Sequence, residues 1–176
     1  NKTNIFQYLG VHYVDLLYYI TNFIPESVVA WGQKDYLISK GINTWDSIQV
    51  NIKWKREDNK YFVSSHLSNW IDPNKTSALS DQKITIVGSK ARYSSDQKKR
   101  GIEFVSDKDG NNHLNPYFTY QVFDNTNNCL HFSGYGIDNI KHFFKDIDLL
   151  EGKKISLNQI NKNRPSFEKS IVSCAV

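Results

Sequence analysis

Four residues near the start of the chain carry side chains suited to chemistry: Tyr8, His12, Asp15 and Tyr19. On an α-helix their spacing puts them on one stripe roughly 60° wide. An imidazole exchanges protons near neutral pH, and a neighbouring carboxylate sets its tautomer. The stripe therefore reads as the lining of a substrate pocket, with His12 as the proton-transfer residue and Tyr8, Asp15 and Tyr19 as substrate contacts. Leu9, Val11, Val14, Leu16, Leu17 and Ile20 fill the rest of the segment. This pattern predicts a helix over residues 4–22, apolar nearly all round and hence buried, with Pro25 as its stop. A polar stripe on a buried helix must be satisfied. Either Asp15 holds His12 internally, or the stripe faces a wet cavity that receives a ligand. Gly10 beside it suits a close backbone approach. His12 and Asp15 would supply only two metal ligands, and no further His or Cys lies at ligand spacing, so no metal site is expected.

The elements that must position this stripe are set by periodicity. Ser27–Gln33 is a short apolar run. In Ser47–Lys55, Ile48, Val50, Ile52 and Trp54 alternate with polar residues, the period of a half-buried strand. A turn at Glu57–Lys60 leads to a partner strand over 61–70. Further strands are expected at 83–87, 91–95, 102–106, 117–123 and 129–133, with Asp109-Gly110 as a turn. Asp138–Leu150 places Ile140, Phe143, Phe144 and Ile147 at helical spacing, with Gly152 as the stop. A last helix starts at Pro165, a favourable first-turn residue. The order predicts an α+β fold, a largely antiparallel open sheet of about six to eight strands with helices on one face.

Composition narrows the partners. The 176 residues are 39% hydrophobic and 14% aromatic, which suffices for one folded domain of ordinary size. The net charge of +4 is scattered apart from Lys98-Lys99-Arg100, against the basic bias of a nucleic-acid binder. Cys129 and Cys174 are the only cysteines and lack CxxC spacing, which suits two lone thiols in a reducing cytoplasm. No apolar run reaches the roughly 18 residues of a membrane span. The loop carrying Asn69, Trp70, Asp72, Asn74 and Lys75 suits hydrogen bonding to a sugar with Trp70 as a stacking face, or else is a surface loop with Trp70 in the core. The basic turn 95–101 suits a phosphate or carboxylate, or simply solvent. The sheet face bearing Ser47, Gln49, Asn51 and Lys53 is expected to pair with a copy of itself in a homodimer or homotetramer.

The run Gln7–Leu17, with Gly10, His12 and Asp15 as a G-x-H-x-x-D signature, resembles the opening of the C-terminal domain of the Gfo/Idh/MocA oxidoreductases. The resemblance continues through residues 25–33, Ser68–Asp72, Ile84–Tyr93, 135–147 and 164–176. It implies a substrate domain, similar to the C-terminal domain of glyceraldehyde-3-phosphate dehydrogenase. The substrate would be a sugar, sugar nucleotide or polyol, oxidised or reduced with NAD or NADP. In such enzymes a Rossmann domain holds the cofactor and a Glu-Lys-Pro lysine, and the sheet face often forms the oligomer interface. His12 would exchange a proton with the reacting hydroxyl, and Asp15 would orient it or touch substrate. Tyr8 stands where many members carry an acid, which alters the expected proton relay, since tyrosine is a poor base near neutrality. The sequence holds no G-x-G-x-x-G and no Glu-Lys-Pro, does not begin with Met, and ends in an apolar helical pattern without a cap. The expectation is a single substrate-binding and oligomerisation domain over 1–176, a fragment without its cofactor domain and inactive alone. The alternative is a non-catalytic carbohydrate-binding or dimerisation domain.

Overall fold

In the computed structural model, which describes residues 3–76, 79–98, 101–114, 119–134 and 136–176, the first helix begins at a reciprocal cap. Gln7 N donates to Asn4 Oδ1 at 2.9 Å, and Asn4 N donates to Gln7 Oε1 at 3.2 Å. This box satisfies two donors that would otherwise be orphaned. A π-helical turn, Phe6–Gly10, then leads into α1, Val11–Thr21. The helix stops because Asn22 takes the left-handed conformation (φ 56°), its N–H bonding Tyr18 O. Pro25 is therefore not the stop; it sits inside the first strand beside a register shift between Pro25 and Ser27, where its missing N–H costs little.

The chain divides into two compact units, Asn1–Asn74 with Asn161–Val176, and Lys75–Ile160. In the first, β1 (Ile24–Gln33), β2 (Ser47–Lys55) and β3 (Tyr61–Asn69) form an antiparallel sheet with β2 in the centre. The alternation in β2 does what its period dictates: Ile48, Val50, Ile52 and Trp54 are buried and with Ile5, Val14 and Leu17 make the core. Register places Phe62, Ser64, His66 and Ser68 beside those four on the same face. On the opposite face, polar Gln49, Asn51 and Lys53 are flanked by Val29 and Trp31 of β1 and Val63 and Leu67 of β3. These four apolar side chains are all more than half exposed.

Between β1 and β2 the chain makes a short helix α2, Tyr36–Ser39. Its start is held by Asp46, which is wholly buried. The Asp46 carboxylate accepts from the backbone N–H groups of Asp35, Tyr36 and Leu37, each at 2.7 Å. Burial alone would push this carboxyl up; the Leu37, Asp35 and Tyr36 N–H groups outweigh it and hold it below the usual carboxylate value. The last helix of this unit, α5, spans Phe167–Cys174 and starts two residues after Pro165, with Ser166 as its N-cap, accepting from Lys169 N.

In the second unit β4 (Lys83–Val87), β5 (Ala91–Asp96), β6 (Gly101–Ser106) and β7 (Gly110–Leu114) form an antiparallel meander. Gly110, at φ +70°, makes the expected turn after Asp109. A separate hairpin pairs β8 (Thr119–Asp124) with β9 (Cys129–Gly134), followed by α3, Ile137–Glu151. Asp138 in the first turn of α3 accepts from Ser133 Oγ and Gly134 N, tying helix to hairpin. The residue that turns left-handed after α3 is Lys153 (φ 52°), not Gly152. The short α4, Leu157–Asn163, spans the change from the second unit to the last segment of the first. The expected strand start at Tyr117, the pair Lys99-Arg100 and the position Tyr135 lie outside the described residues.

The fold is α+β with every described strand pairing antiparallel. Rather than one open sheet of six to eight strands, the described residues hold nine strands in sheets of three, four and two.

Candidate functional site

The stripe near the start of the chain lies on the first helix as expected, but its surroundings differ from the expectation. Burial on the helix is confined to Ile5, Gly10, Val14 and Leu17. Leu16 and Ile20 are exposed together with the stripe. The helix is thus covered only in part, with α5 packed against it. Tyr8 is 58% exposed and Tyr19 is 76% exposed. The stripe faces outward and lines no enclosed pocket among the described residues.

Within the stripe, the pairing expected between Asp15 and His12 is replaced by another. Ser173 Oγ, buried on α5, donates to Asp15 Oδ1 at 2.7 Å. This bond joins residues 158 positions apart and fastens α5 against α1. A hydroxyl bonded to a carboxylate is a charge-assisted contact, stronger than a neutral one. Asp15 keeps its second oxygen clear of any hydrogen bond to another described residue, and His12 makes none. His12 is therefore an exposed imidazole able to exchange protons with whatever docks on it, without a carboxylate to set its tautomer.

The π-helical turn sets the other end of the site. Val11 N–H reaches Phe6 O, one residue further back than in an α-helix. The wider turn packs the Phe6 ring against Gly10, where an added Cβ would lie 2.3 Å from Phe6 Cδ2. Gly10 thus serves a close approach, though to a side chain rather than to backbone. Phe6 in turn meets His66 edge-on at 5.9 Å between ring centroids. Tyr8 leans on Trp70, centroids 5.4 Å apart and planes tilted by 31°. That contact brings the β3-exit loop to the helix, so Trp70 is neither core nor isolated. Asn69 and Asp72 in this loop are exposed, and Asn69 is paired with Ser47 at the end of the sheet. Lys75 is exposed and opens the second unit.

Two groups escape the sequence reading above. One is Ser173, with no local signal. The other is a half-buried relay on the core face of the sheet. Trp54 Nε1–H, which can only donate, bonds Ser64 Oγ at 2.8 Å, and Ser64 Oγ lies 2.8 Å from His66 Nε2. The Ser64–His66 bond can run in either direction, according to the tautomer of the ring. Burial pushes the His66 pKa down, in keeping with a neutral ring. The alternation of β3 opposite Val50 is the signal that points to His66, whose spacing from the other histidines suggests only a surface or edge position. Among the described residues no group of three or more His, Cys, Asp or Glu is arranged to hold a metal, and no helix is long and apolar enough to cross a membrane.

No protein-family model and no curated protein matches the chain. Solved structures do. A protein from Thermotoga maritima, provisionally named an oxidoreductase, matches 94% of this chain at a TM-score of 0.60 and 15% identity. This chain spans 40% of the length of that structure. An oxidoreductase from Sinorhizobium meliloti matches 61% of this chain and 29% of its own at a TM-score of 0.49 and 14% identity. At such identity the Thermotoga match establishes a shared fold.

Proposed function

We propose that this chain is the substrate domain of an NAD(P)-dependent oxidoreductase that oxidises or reduces a hydroxyl or carbonyl of a sugar, sugar nucleotide or polyol. The observation that supports this most is His12: an exposed imidazole without a partner among the described residues, on the helix that carries Asp15 and the Tyr8–Trp70 pair. The fold shared with a protein provisionally named an oxidoreductase agrees with it. In this reading His12 exchanges a proton with the reacting hydroxyl. The free oxygen of Asp15 contacts substrate while Ser173 fixes its partner oxygen. Tyr8, Tyr19, Asn69 and Asp72 supply further hydrogen bonds. Every described strand pair is antiparallel, so these residues contain no βαβ unit to cradle a dinucleotide. The reading therefore assigns NAD or NADP to a separate domain.

The same reading has the chain pair with a copy of itself through the open face of β1–β3. Trp31, Leu67, Val29 and Val63 expose apolar surface there. Asn51, at the middle of that face, has a buried side-chain oxygen with no hydrogen-bond partner among the described residues. A two-fold copy would cover this apolar surface.

The test uses the full-length protein, assayed with sugars and polyols by nicotinamide absorbance. Turnover should fall about a hundredfold or more in His12→Ala, the usual scale of general acid–base help, with melting unchanged because His12 is exposed. Activity retained in His12→Ala would defeat the catalytic assignment and leave a dimerisation or binding domain of the same fold. Trp31→Lys should shift the oligomer toward monomer in sedimentation; an unchanged assembly would remove the sheet-face pairing.

A further inference from the structure

We propose that the first unit carries a second ligand site, distinct from the stripe, that binds a small oxyanion, either a carboxylate or a phosphate group. It is a cavity of about 280 Å³ between the start of the first helix and the β1–β2 loop, with Asn4, Gln7, Lys34, Asn43, Thr44 and Trp45 in its walls. Its size lies just below the range of ordinary ligand pockets, about 300–1,000 Å³, which suits one charged group on a small molecule.

The chemistry of the walls selects the ligand. Both capping oxygens, Asn4 Oδ1 and Gln7 Oε1, are occupied by backbone N–H groups. Each amide also keeps an NH₂ group, with two donors, that can reach a ligand. The N–H groups of Gln7 and Tyr8 are taken by Asn4 Oδ1 and Asn4 O, so the site does not depend on open helix N–H groups. Asn43 adds another amide, and no carboxylate lines the cavity. The single charge is the Lys34 ammonium, which forms no ion pair among the described residues. One unpaired cation among amide N–H donors, with no carboxylate opposite it, fits an anion.

The walls are also held in place. Lys34 Nζ sits 5.4 Å from the centroid of the Trp45 ring, a cation–π contact. The same ring packs against Gly32, where a Cβ would lie 2.6 Å from Trp45 Cε3. Trp45 thus lies against both Gly32 and Lys34 and steadies the lysine. Asp46, next along the chain, is buried and pinned by three backbone N–H groups, which fixes the loop that carries Asn43, Thr44 and Trp45. The site selects for charge.

Calorimetric titration of the intact protein with inorganic phosphate, galacturonate and galactose tests this. Saturable binding of phosphate, of galacturonate or of both that depends on Lys34, with any binding of galactose unaffected by Lys34→Gln, is the expected result, and the two anions tell phosphate from carboxylate recognition. Lys34→Gln and Asn43→Asp should each weaken the bound anion about tenfold or more, the scale of one charged hydrogen bond. Asn43→Asp leaves the Lys34–Trp45 stack intact, so it separates loss of the site from loss of local folding. His12→Ala should leave anion binding unchanged. Anion affinity unaltered in both variants, or no saturable binding of either anion, would overturn the proposal.

Discussion

Gly10→Ala isolates the contact that gives the first helix its shape. The new Cβ would sit 2.3, 2.7 and 2.9 Å from Cδ2, Cε2 and Cγ of Phe6. Comfortable carbon–carbon contact begins at about 3.5 Å, so the ring has to retreat by roughly 1.2 Å at its nearest atom. Because Cγ itself is too close, turning the ring about its own axis cannot clear the clash. The side chain must leave its position over Gly10 and with it the edge of His66. Overpacking of this kind costs about 1–3 kcal/mol, and losing an aromatic edge contact about 0.5–1.5 kcal/mol more. Alanine returns about 1 kcal/mol of helix propensity. The clash wins, leaving a destabilisation of about 1–3 kcal/mol, or roughly 2–4 °C of melting temperature for each kcal/mol. The assay is thermal and urea unfolding, with the ring protons of His66 followed by NMR. In a Phe6→Ala background the sign should reverse, since only the propensity gain remains. A Gly10→Ala protein that melts at or above the wild-type temperature, or the same effect with and without Phe6, would refute the argument.

Buried polar groups in the first unit give three further expected outcomes. Asp46 has its folded pKa held below its unfolded value, so its contribution is present at neutral pH and lost as pH falls below the ordinary carboxylate range; urea midpoints measured against pH should lose that acid limb in Asp46→Asn. His66 has its pKa lowered by burial, so the unfolded chain takes up the proton first and stability should decline as pH drops below about 6.5; the decline should vanish in His66→Gln, as monitored by chemical denaturation across that window. Ser64→Ala strands the buried Trp54 Nε1–H and should cost about 1–3 kcal/mol in urea unfolding, whereas an unchanged midpoint would mean that the indole finds another acceptor.

Local period and local turn chemistry account for the parts of this fold that are legible in the sequence. The strict alternation of Ile48, Val50, Ile52 and Trp54 identifies both the central strand and its buried face. Asp109-Gly110 identifies its turn. β7 escapes such reading because Gly110–Leu114 runs Gly-Asn-Asn-His-Leu, with no apolar alternation; it is a strand because the turn delivers it to the edge of β6. The burial of the first helix is overestimated for a related reason. Periodicity shows which residues are apolar, but how much of the helix is covered depends on what the rest of the chain supplies, and here Leu16 and Ile20 stay exposed. Asp46 and Ser173 act across loops and across the whole chain, and no spacing encodes such partners.

The partner found for Asp15 alters how the stripe can work. Had Asp15 gripped His12, the imidazole would have been oriented in advance, and the pair could have been a satisfied structural unit as readily as an acid–base couple. With Ser173 holding one oxygen of Asp15, the carboxylate is fixed by α5, and His12 is left to be oriented by what binds. A structural role for His12 then has little to rest on, since an exposed ring without a partner contributes almost nothing to stability. A catalytic role requires the incoming molecule, or a residue of another domain, to supply the hydrogen bond that Asp15 does not. The Tyr8–Trp70 pair supports the second alternative by placing an aromatic edge next to the helix at the end where the π-helical turn widens it. A static exposed stripe and a working half-site look alike in isolation. They part when the ring nitrogens of His12 are tracked by NMR as substrate or a cofactor domain is added: only a half-site shifts its tautomer.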